Sequence, residues 1–247
     1  MLIYTCDGSF EGLLTSIFEA YNRKENPSRI LLCSHFQESL IEEKVHIETD
    51  DSKAKRVLDS IITKISHNSF EKIYYTYLSE HEDCGTWIYN YIRLGLKMGR
   101  AIDNHLSDDF VLKVHKTSLK VLGERHLLLG LLRFQEIGEN IFYAPIEPQH
   151  NVIELIAPHF VNRLPNENWI IHDKKRGLAA VYDKNNLAIN PTDFTGTFDK
   201  SPHEDSYQTM WKSYFKSIAI KNRINPKLQR RNMPSRYWNY LTEKQLY

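Results

Sequence analysis

Three polar side chains in the second half of the sequence have the chemistry to activate a water molecule. His172 and Asp173 are adjacent, and Glu136 ends the sequence RFQE. An imidazole or a carboxylate can act as a general base, and a carboxylate can also stabilise the oxocarbenium-like sugar formed when an N-glycosidic bond breaks. Asp173, His172 and Glu136 are therefore the candidate catalytic residues. Neighbouring strand residues face opposite sides, so His172 and Asp173 share a site only if Asp173 lies past the strand end, where it can equally be a turn residue.

A second chemistry, contact with a polyanion, is indicated by the C-terminal end of the sequence. Residues 205–247 hold five Lys and four Arg against two acidic residues, a net charge of +7 in a chain whose total is +1. Lys and Arg release counterions from nucleic-acid phosphates, and aromatic rings stack on bases. The candidate DNA-binding residues are Lys212, Lys216, Arg223, Arg230, Arg231, Arg236, Tyr237 and Trp238. Two alternatives remain open: the rings are core residues beside a solvated cationic face, or the tail docks on an acidic protein.

Metal-ligating residues have no spacing typical of a metal centre. The three cysteines are odd in number and far apart: Cys6, Cys33 and Cys84. They form no C-x-x-C pair, so we expect reduced thiols and no zinc or iron–sulfur site. His150, His159, His172 and Glu136 are the one set that can be combined into a divalent-metal site, but nine residues of helix span about 2.5 turns and point the first two histidines apart. We therefore expect no cofactor and no metal.

Several ordered motifs resemble a family of DNA-metabolism proteins of uncharacterised activity. In chain order they are MLIYTCDGSFEGLLTSIFEAY, WIYNYIRLG, LGLLRF, FYAPIEPQHN, APHFVNR and WIIHDKKRG. The resemblance covers almost the whole chain. Members of that family occur with a radical-SAM protein, and related proteins are fused to a uracil-DNA-glycosylase-like domain. The resemblance therefore implies a part in DNA repair or DNA modification with a radical-SAM partner.

The pattern of apolar residues predicts the elements that position these side chains. LIYTC, RILLCS and KVHIET have the character of strands, with a helix after the first, and amphipathic helices follow up to a long one that ends near Leu132. Further on, RFQEI and NIFYAPI form a hairpin, NVIELIAPHFVNRL a helix, and WIIHD, GLAAVYD and NLAIN strands. We predict an α+β fold with a β-α-β-like opening and helical middle, then an antiparallel sheet with an inserted helix and a basic C-terminal helix. The two regions are 1–106 and 107–247.

The C-terminal helix is expected to begin after a loop over residues 192–206. Its apolar stripe is Trp211, Tyr214, Phe215, Ile218 and Asn222, which we expect to pack while the lysines stay on the flank. Pro226 and Pro234 interrupt helical structure, so the tail is expected to fold back with one ring buried, Trp238 being the ring considered, and with Arg231 and Arg236 facing outward.

Two functions from different classes fit these observations. The preferred one is a DNA-binding accessory component of a repair or base-modification system, acting with a radical-SAM partner. The alternative is an enzyme, a glycosylase-like hydrolase in which Asp173 or Glu136 activates water after a base is extruded. The chain lacks the Gly-Gln-Asp-Pro-like loop of uracil-DNA glycosylases, which disfavours the enzyme. No apolar run approaches the ~18 residues of a membrane span, and the first residues are unlike a signal peptide, so we expect a cytoplasmic protein with no membrane partner.

Overall fold

A computed structural model describes residues 1–32, 43–196 and 198–245 of the chain. The chain divides into two compact units, an N-terminal unit (Met1–Leu122) and a C-terminal unit (Gly123–Tyr247). The predicted α+β fold class is confirmed. The predicted regions meet just before a long helix, α5 (Asp109–Leu131), whereas the two compact units divide within that helix. Cys33, for which a reduced thiol was predicted, lies outside the described residues.

The N-terminal unit opens with the predicted β-α-β arrangement. Its first elements are β1 (Leu2–Thr5), α1 (Phe10–Asn22), β2 (Arg29–Leu31) and β3 (Glu43–His46). β1 is the central strand and pairs in parallel with both β2 and β3. Helix α1 follows β1 as predicted, and the Ser9 hydroxyl accepts a hydrogen bond of 2.9 Å from the amide of Gly12 and so caps its first turn.

Helices fill the rest of the N-terminal unit, as the apolar periodicity predicts. They are α2 (Asp51–Ser60), a π-helical turn (Ile61–Ile65), α3 (His67–Leu78), α4 (Cys84–Met98), a 3-10 segment (Gly99–Asn104) and the first part of α5. A polar network joins them at Asp103, whose carboxylate accepts hydrogen bonds from Lys72 (2.9 Å), Tyr91 (2.8 Å) and Ser69 (3.2 Å). Burial opposes ionisation of Asp103, but the hydrogen bonds from Lys72 and Tyr91 outweigh it and lower the pKa of that carboxyl. The ionised carboxylate therefore ties α3 and α4 to the 3-10 segment.

The C-terminal unit is built on a five-stranded sheet. Its strands, in their spatial order, are β4 (Gln135–Ile137), β5 (Ile141–Ile146), β6 (Asn168–Asp173), β7 (Leu178–Asp183) and β8 (Leu187–Pro191). The predicted hairpin between β4 and β5 is confirmed. The sheet is not wholly antiparallel, because helix α6 (Ile153–Arg163) carries the chain back so that β5 and β6 run parallel. The buried ring of Trp169 lies 6.4 Å from Phe160 of α6 and 5.3 Å from Tyr182 of β7.

The end of the C-terminal unit consists of short helices. They are α7 (Glu204–Ser217), a 3-10 turn (Lys221–Arg223), α8 (Pro226–Asn232) and 3-10 turns at Ser235–Tyr240 and Thr242–Lys244. α7 starts within the predicted loop, about two turns before Trp211. Its first residue, Glu204, is buried, and the Glu204 carboxylate accepts a hydrogen bond of 2.9 Å from the backbone amide of Glu136, which ties the start of the helix to β4. Pro226 does not interrupt a helix but begins α8, where a missing N–H costs nothing, and the Asn225 side chain caps that helix. Within the described residues, no helix is long and apolar enough to cross a membrane.

Candidate nucleic-acid interface

The face of α7 that was predicted to pack is largely exposed. The exposed fractions are 39% for Trp211, 54% for Tyr214 and 55% for Ile218, and of the predicted stripe Phe215 is half-buried. The helix packs mainly against the single turn Thr242–Lys244, so only a narrow strip of its surface is covered. The prediction of a packed stripe is therefore wrong, and Asn222 lies beyond the helix altogether. An amphipathic pattern of this kind is the same whether its apolar face is buried or left open for a partner.

A buried carboxylate fixes the orientation of the Trp211 ring. The Trp211 Nε1–H donates to Glu243 Oε2 at 2.9 Å, and Arg133 donates to both oxygens of Glu243, at 2.6 and 3.2 Å. The Arg133 guanidinium also lies 5.4 Å from the centre of the Trp211 ring. Burial of Glu243 opposes its ionisation, but the hydrogen bonds from Arg133 and Trp211 outweigh it and lower the pKa of Glu243. The charge of Arg133 is therefore already paired with a carboxylate.

A groove of about 670 Å³ lies between α7 and the strands β4 and β5. Its lining residues include Phe134, Glu136 and Phe142 on the sheet side and Glu204, Tyr207, Gln208, Met210, Trp211 and Tyr214 on α7. The volume is within the range of small-molecule sites, and exposed rings together with a few polar groups are the usual composition of such a site. Sequence reasoning missed the groove because the α7 stripe was taken as core and the first turn of α7 as loop.

The chain beyond the groove carries cations that have no ion-pair partner. We call residues 212–231 the basic arm; its cations are Lys212, Lys216, Lys221, Arg223, Lys227, Arg230 and Arg231. None of these seven forms an ion pair with any residue that the structure describes. Ile220, Ile224 and Leu228 lie among them and are each about half or more exposed. Unpaired charge and exposed apolar side chains on one segment mark a contact surface.

The remaining candidate DNA-binding residues lie outside this surface, and two of them, Arg236 and Tyr237, fasten the tail to α5. Tyr237 is buried and donates its hydroxyl to Glu124, which also accepts a 3.2 Å hydrogen bond from Arg236. The Arg236 guanidinium lies 4.8 Å from the centre of the Tyr237 ring. Trp238 is half-buried, and its Nε1–H donates to the carbonyl of Met233 at 2.9 Å. One ring is buried, as predicted, but it is Tyr237, and Arg236 faces a carboxylate while Arg231 faces solvent.

Comparison with known sequence families gives a match over about two thirds of the chain. Residues 82–243 match the profile of DUF4130, a domain of unknown function. The chain belongs to the DUF4130 family. The matched range contains α4, α5, the whole sheet, the groove and the basic arm. No curated protein and no solved structure matches the chain significantly.

In this DUF4130 protein, the two adjacent catalytic candidates, His172 and Asp173, lie on opposite faces of the strand β6. Asp173 lies in the β6 register opposite Leu178, so its side chain and that of His172 point to opposite faces of the sheet. The Asp173 carboxylate is fully buried, accepts the amides of Lys175 (3.0 Å) and Arg176 (3.3 Å), and forms a 2.9 Å ion pair with Arg176. Burial raises the pKa of Asp173 in spite of Arg176. Asp173 therefore has the contacts of a turn residue, one of the two roles that the sequence allowed for it.

The other two candidates are also far from a common site. His172 is buried, its Nδ1 lies 2.8 Å from the Tyr143 hydroxyl, and burial lowers its pKa. Glu136 pairs in register with Phe142, one residue before Tyr143, and therefore lies on the opposite face of the sheet from His172. Of the three candidates, Glu136 alone lines the groove. Within the described part of the DUF4130 chain, no three His, Cys, Asp or Glu side chains are placed to hold a metal ion.

Proposed function

We propose that this protein is a cytoplasmic, DNA-binding accessory component of a DNA repair or base-modification system, and that it acts with a radical-SAM partner. The observation that carries the proposal is the basic arm. Its seven cations have no ion-pair partner in the described chain, so all of them can exchange condensed counterions for phosphate contacts. A cation already paired with a carboxylate, such as Arg133, contributes much less to phosphate binding.

The arrangement of the arm supports a nucleic acid over a compact acidic ligand. Lys212 and Lys216 are one helical turn apart, about 6 Å along α7, and the other five cations follow through the 3-10 turn and α8. The positive charge is thus extended along the chain, as a phosphate backbone requires. Exposed Ile220, Ile224 and Leu228 between the cations can contact sugars and bases.

The accessory role and the partner rest on different grounds. The described side chains give the enzyme alternative no support, because the Asp173 carboxylate is buried in a turn and Glu136 and His172 lie on opposite sheet faces. Chemistry supplied by a partner is the simpler arrangement. The radical-SAM identity of that partner is supported by the resemblance of the chain's motifs to a family that occurs with such proteins.

The proposal is tested by fluorescence anisotropy with labelled single- and double-stranded oligonucleotides. The arm variant replaces Lys221, Arg223, Lys227, Arg230 and Arg231 by Gln. The control variant removes the same charge from exposed lysines of the N-terminal unit: Lys55, Lys64, Lys97, Lys116 and Lys120. We expect the wild type to bind with a Kd of roughly 10⁻⁴–10⁻⁶ M near physiological salt. The arm variant should bind at least tenfold more weakly, and the control within about twofold of the wild type. Equal losses in both variants would show that net charge, and not the arm, attracts the DNA.

A further inference from the structure

We infer that the groove between α7 and the strands β4 and β5 holds a single unstacked nucleobase, with a preference for bases that carry an amino group. The inference rests on the proposed function, because it places one base of the strand that the basic arm binds. None of the residues named as DNA-binding from the sequence lines this groove. It adds to the arm a site that reads the base instead of the phosphate.

The first argument is the stacking surface along α7. Tyr207, Trp211 and Tyr214 all line the groove, and Tyr207 is 57% exposed. The rings of Trp211 and Tyr214 have their centres 5.8 Å apart with 37° between their planes. Trp211 cannot turn away, because its Nε1–H is bound to Glu243 and one of its faces lies against Arg133. A ring fixed in this way loses no side-chain freedom when a base stacks on it, and such stacking is worth roughly five- to 150-fold in affinity.

The second argument is a pair of acceptors, on Gln208 and Glu136, at the polar edge of the groove, which also carries the hydroxyls of Tyr207, Tyr214 and Thr242. Gln208 donates its Nε2–H to Glu204 at 2.8 Å, which leaves the Gln208 carbonyl oxygen as an acceptor. One oxygen of Glu136 accepts the amide of Asn140 at 3.3 Å, and the other has no hydrogen-bond partner within the described chain. Acceptors bind the exocyclic amino groups of cytosine, adenine and guanine. Thymine has no exocyclic amino group; its one donor on that edge, N3–H, is flanked by two carbonyl oxygens that would lie against the same carboxylate and amide oxygens.

The third argument is the placement of charge around the groove. Glu136 and Glu204 repel a phosphate, so the groove suits the base of a nucleotide and not its backbone. The groove follows α7 from Tyr207 to Tyr214, and the cations from Lys221 onward come after the C-terminal end of that helix. A strand whose base enters the groove can therefore keep its neighbouring phosphates on the basic arm. A base inside a duplex is paired and stacked, so the bound nucleotide must be single-stranded or extruded.

The test uses the full-length chain and short DNA strands that differ in their bases alone. The strands are oligo-dC, oligo-dT and an oligo-dC with a central abasic site, all with the same number of phosphates. The groove variant is Tyr207→Leu with Tyr214→Leu, which removes two exposed rings that make no side-chain hydrogen bond in the described chain. The control is Tyr21→Leu, an exposed tyrosine of the N-terminal unit.

We expect wild type to bind oligo-dC about fivefold or more tightly than oligo-dT, which is the lower limit for one specific base contact. The groove variant should lose that preference and bind oligo-dC at least fivefold more weakly, while the slope of affinity against salt stays the same. A fluorescent cytosine analogue should be quenched by the wild type and by Tyr21→Leu, but not by the groove variant.

The outcomes separate this inference from the proposed function. If the wild type binds all three strands equally and the groove variant binds like the wild type, the groove holds no base, and an apolar peptide of a partner becomes its better occupant. The arm and its DNA binding would still stand. If the wild type binds no strand at low salt, the proposed function fails and the nucleobase site fails with it.

Discussion

Replacing Glu243 by Ala should destabilise the C-terminal unit and release the ring on which the groove depends. The substitution removes two hydrogen bonds from Arg133 and one from Trp211, and it leaves the Arg133 charge, 22% exposed, without its partner. Breaking a buried ion pair from one side costs about 3–5 kcal/mol. Arg133 also donates to the carbonyls of Gly130 (2.9 Å) and Leu132 (3.1 Å), so we expect a loss near the lower limit, about 3 kcal/mol in the free energy of unfolding.

Urea unfolding followed by tryptophan fluorescence measures this loss, because three of the four tryptophans, Trp169, Trp211 and Trp238, lie in the C-terminal unit. Glu243→Gln keeps the shape and removes the charge, and should cost about 2 kcal/mol, the value of a hydrogen bond to a charged group. Glu139→Ala, in the exposed hairpin turn, is the control and should stay within about 0.5 kcal/mol of the wild type. If Glu243→Ala is as stable as this control, the carboxylate does not hold Trp211 and the argument for a fixed ring is refuted.

The same carboxylate gives the stability a defined pH dependence. The pKa of Glu243 in the folded chain is below its ordinary value of 4.5, so the folded state favours the ionised form. A group with a lowered folded pKa stabilises the protein above the unfolded pKa, and that contribution is lost as the pH falls through the folded value. The stability difference between the wild type and Glu243→Gln should therefore be complete at neutral pH and shrink below about pH 4.5. A difference that stays constant to lower pH would mean that the pKa of Glu243 is the same in the folded and unfolded chains, so that its contacts do not favour the ionised form.

Five further substitutions test the packing inside each unit. Tyr237→Phe leaves a buried carboxylate short of one donor and should cost about 1–3 kcal/mol in urea unfolding, whereas half-buried Trp238→Ala should cost less than the ~3–5 kcal/mol of a fully buried ring. Gly85→Ala would place a Cβ 2.6 Å from a carbonyl oxygen of β2 and should lower Tm, but Gly123→Ala meets nothing and should raise it; equal shifts would contradict the close approach of α4 to β2. Asp103→Asn should destabilise the N-terminal unit at neutral pH, and the difference should shrink as the pH falls below 3.8, because the pKa of Asp103 is lowered.

Elements with a strong local pattern could be predicted from the sequence. The hairpin at Gly138-Glu139-Asn140, the inserted helix α6 and the strands β6 to β8 follow from apolar periodicity and turn residues, and the structure confirms them. The parallel pairing of β5 and β6 could have been anticipated, since a helix between two strands is the usual parallel crossover.

The candidate site could be predicted only in part, because its partners are distant in sequence. Trp211 and Glu243 are 32 positions apart, and Glu124 and Tyr237 are 113 apart. No local pattern indicates which carboxylate a ring N–H or hydroxyl will bind. The cations of the arm were identified because charge is visible in the sequence, whereas the groove depends on how far α7 stands from β4 and β5.

The most direct test of DNA binding by the basic arm is the slope of the logarithm of the association constant, 1/Kd, against log salt for single-stranded DNA. Each neutralised phosphate contributes about −0.7 to the logarithm of affinity per decade of salt. Contact by all seven arm cations predicts a slope of about −5 for the wild type. The arm variant retains only Lys212 and Lys216, so its slope should fall to about −1.4, while the charge-matched control keeps the wild-type slope. A wild-type affinity that does not change with salt, or the same slope in the wild type and the arm variant, would contradict the account.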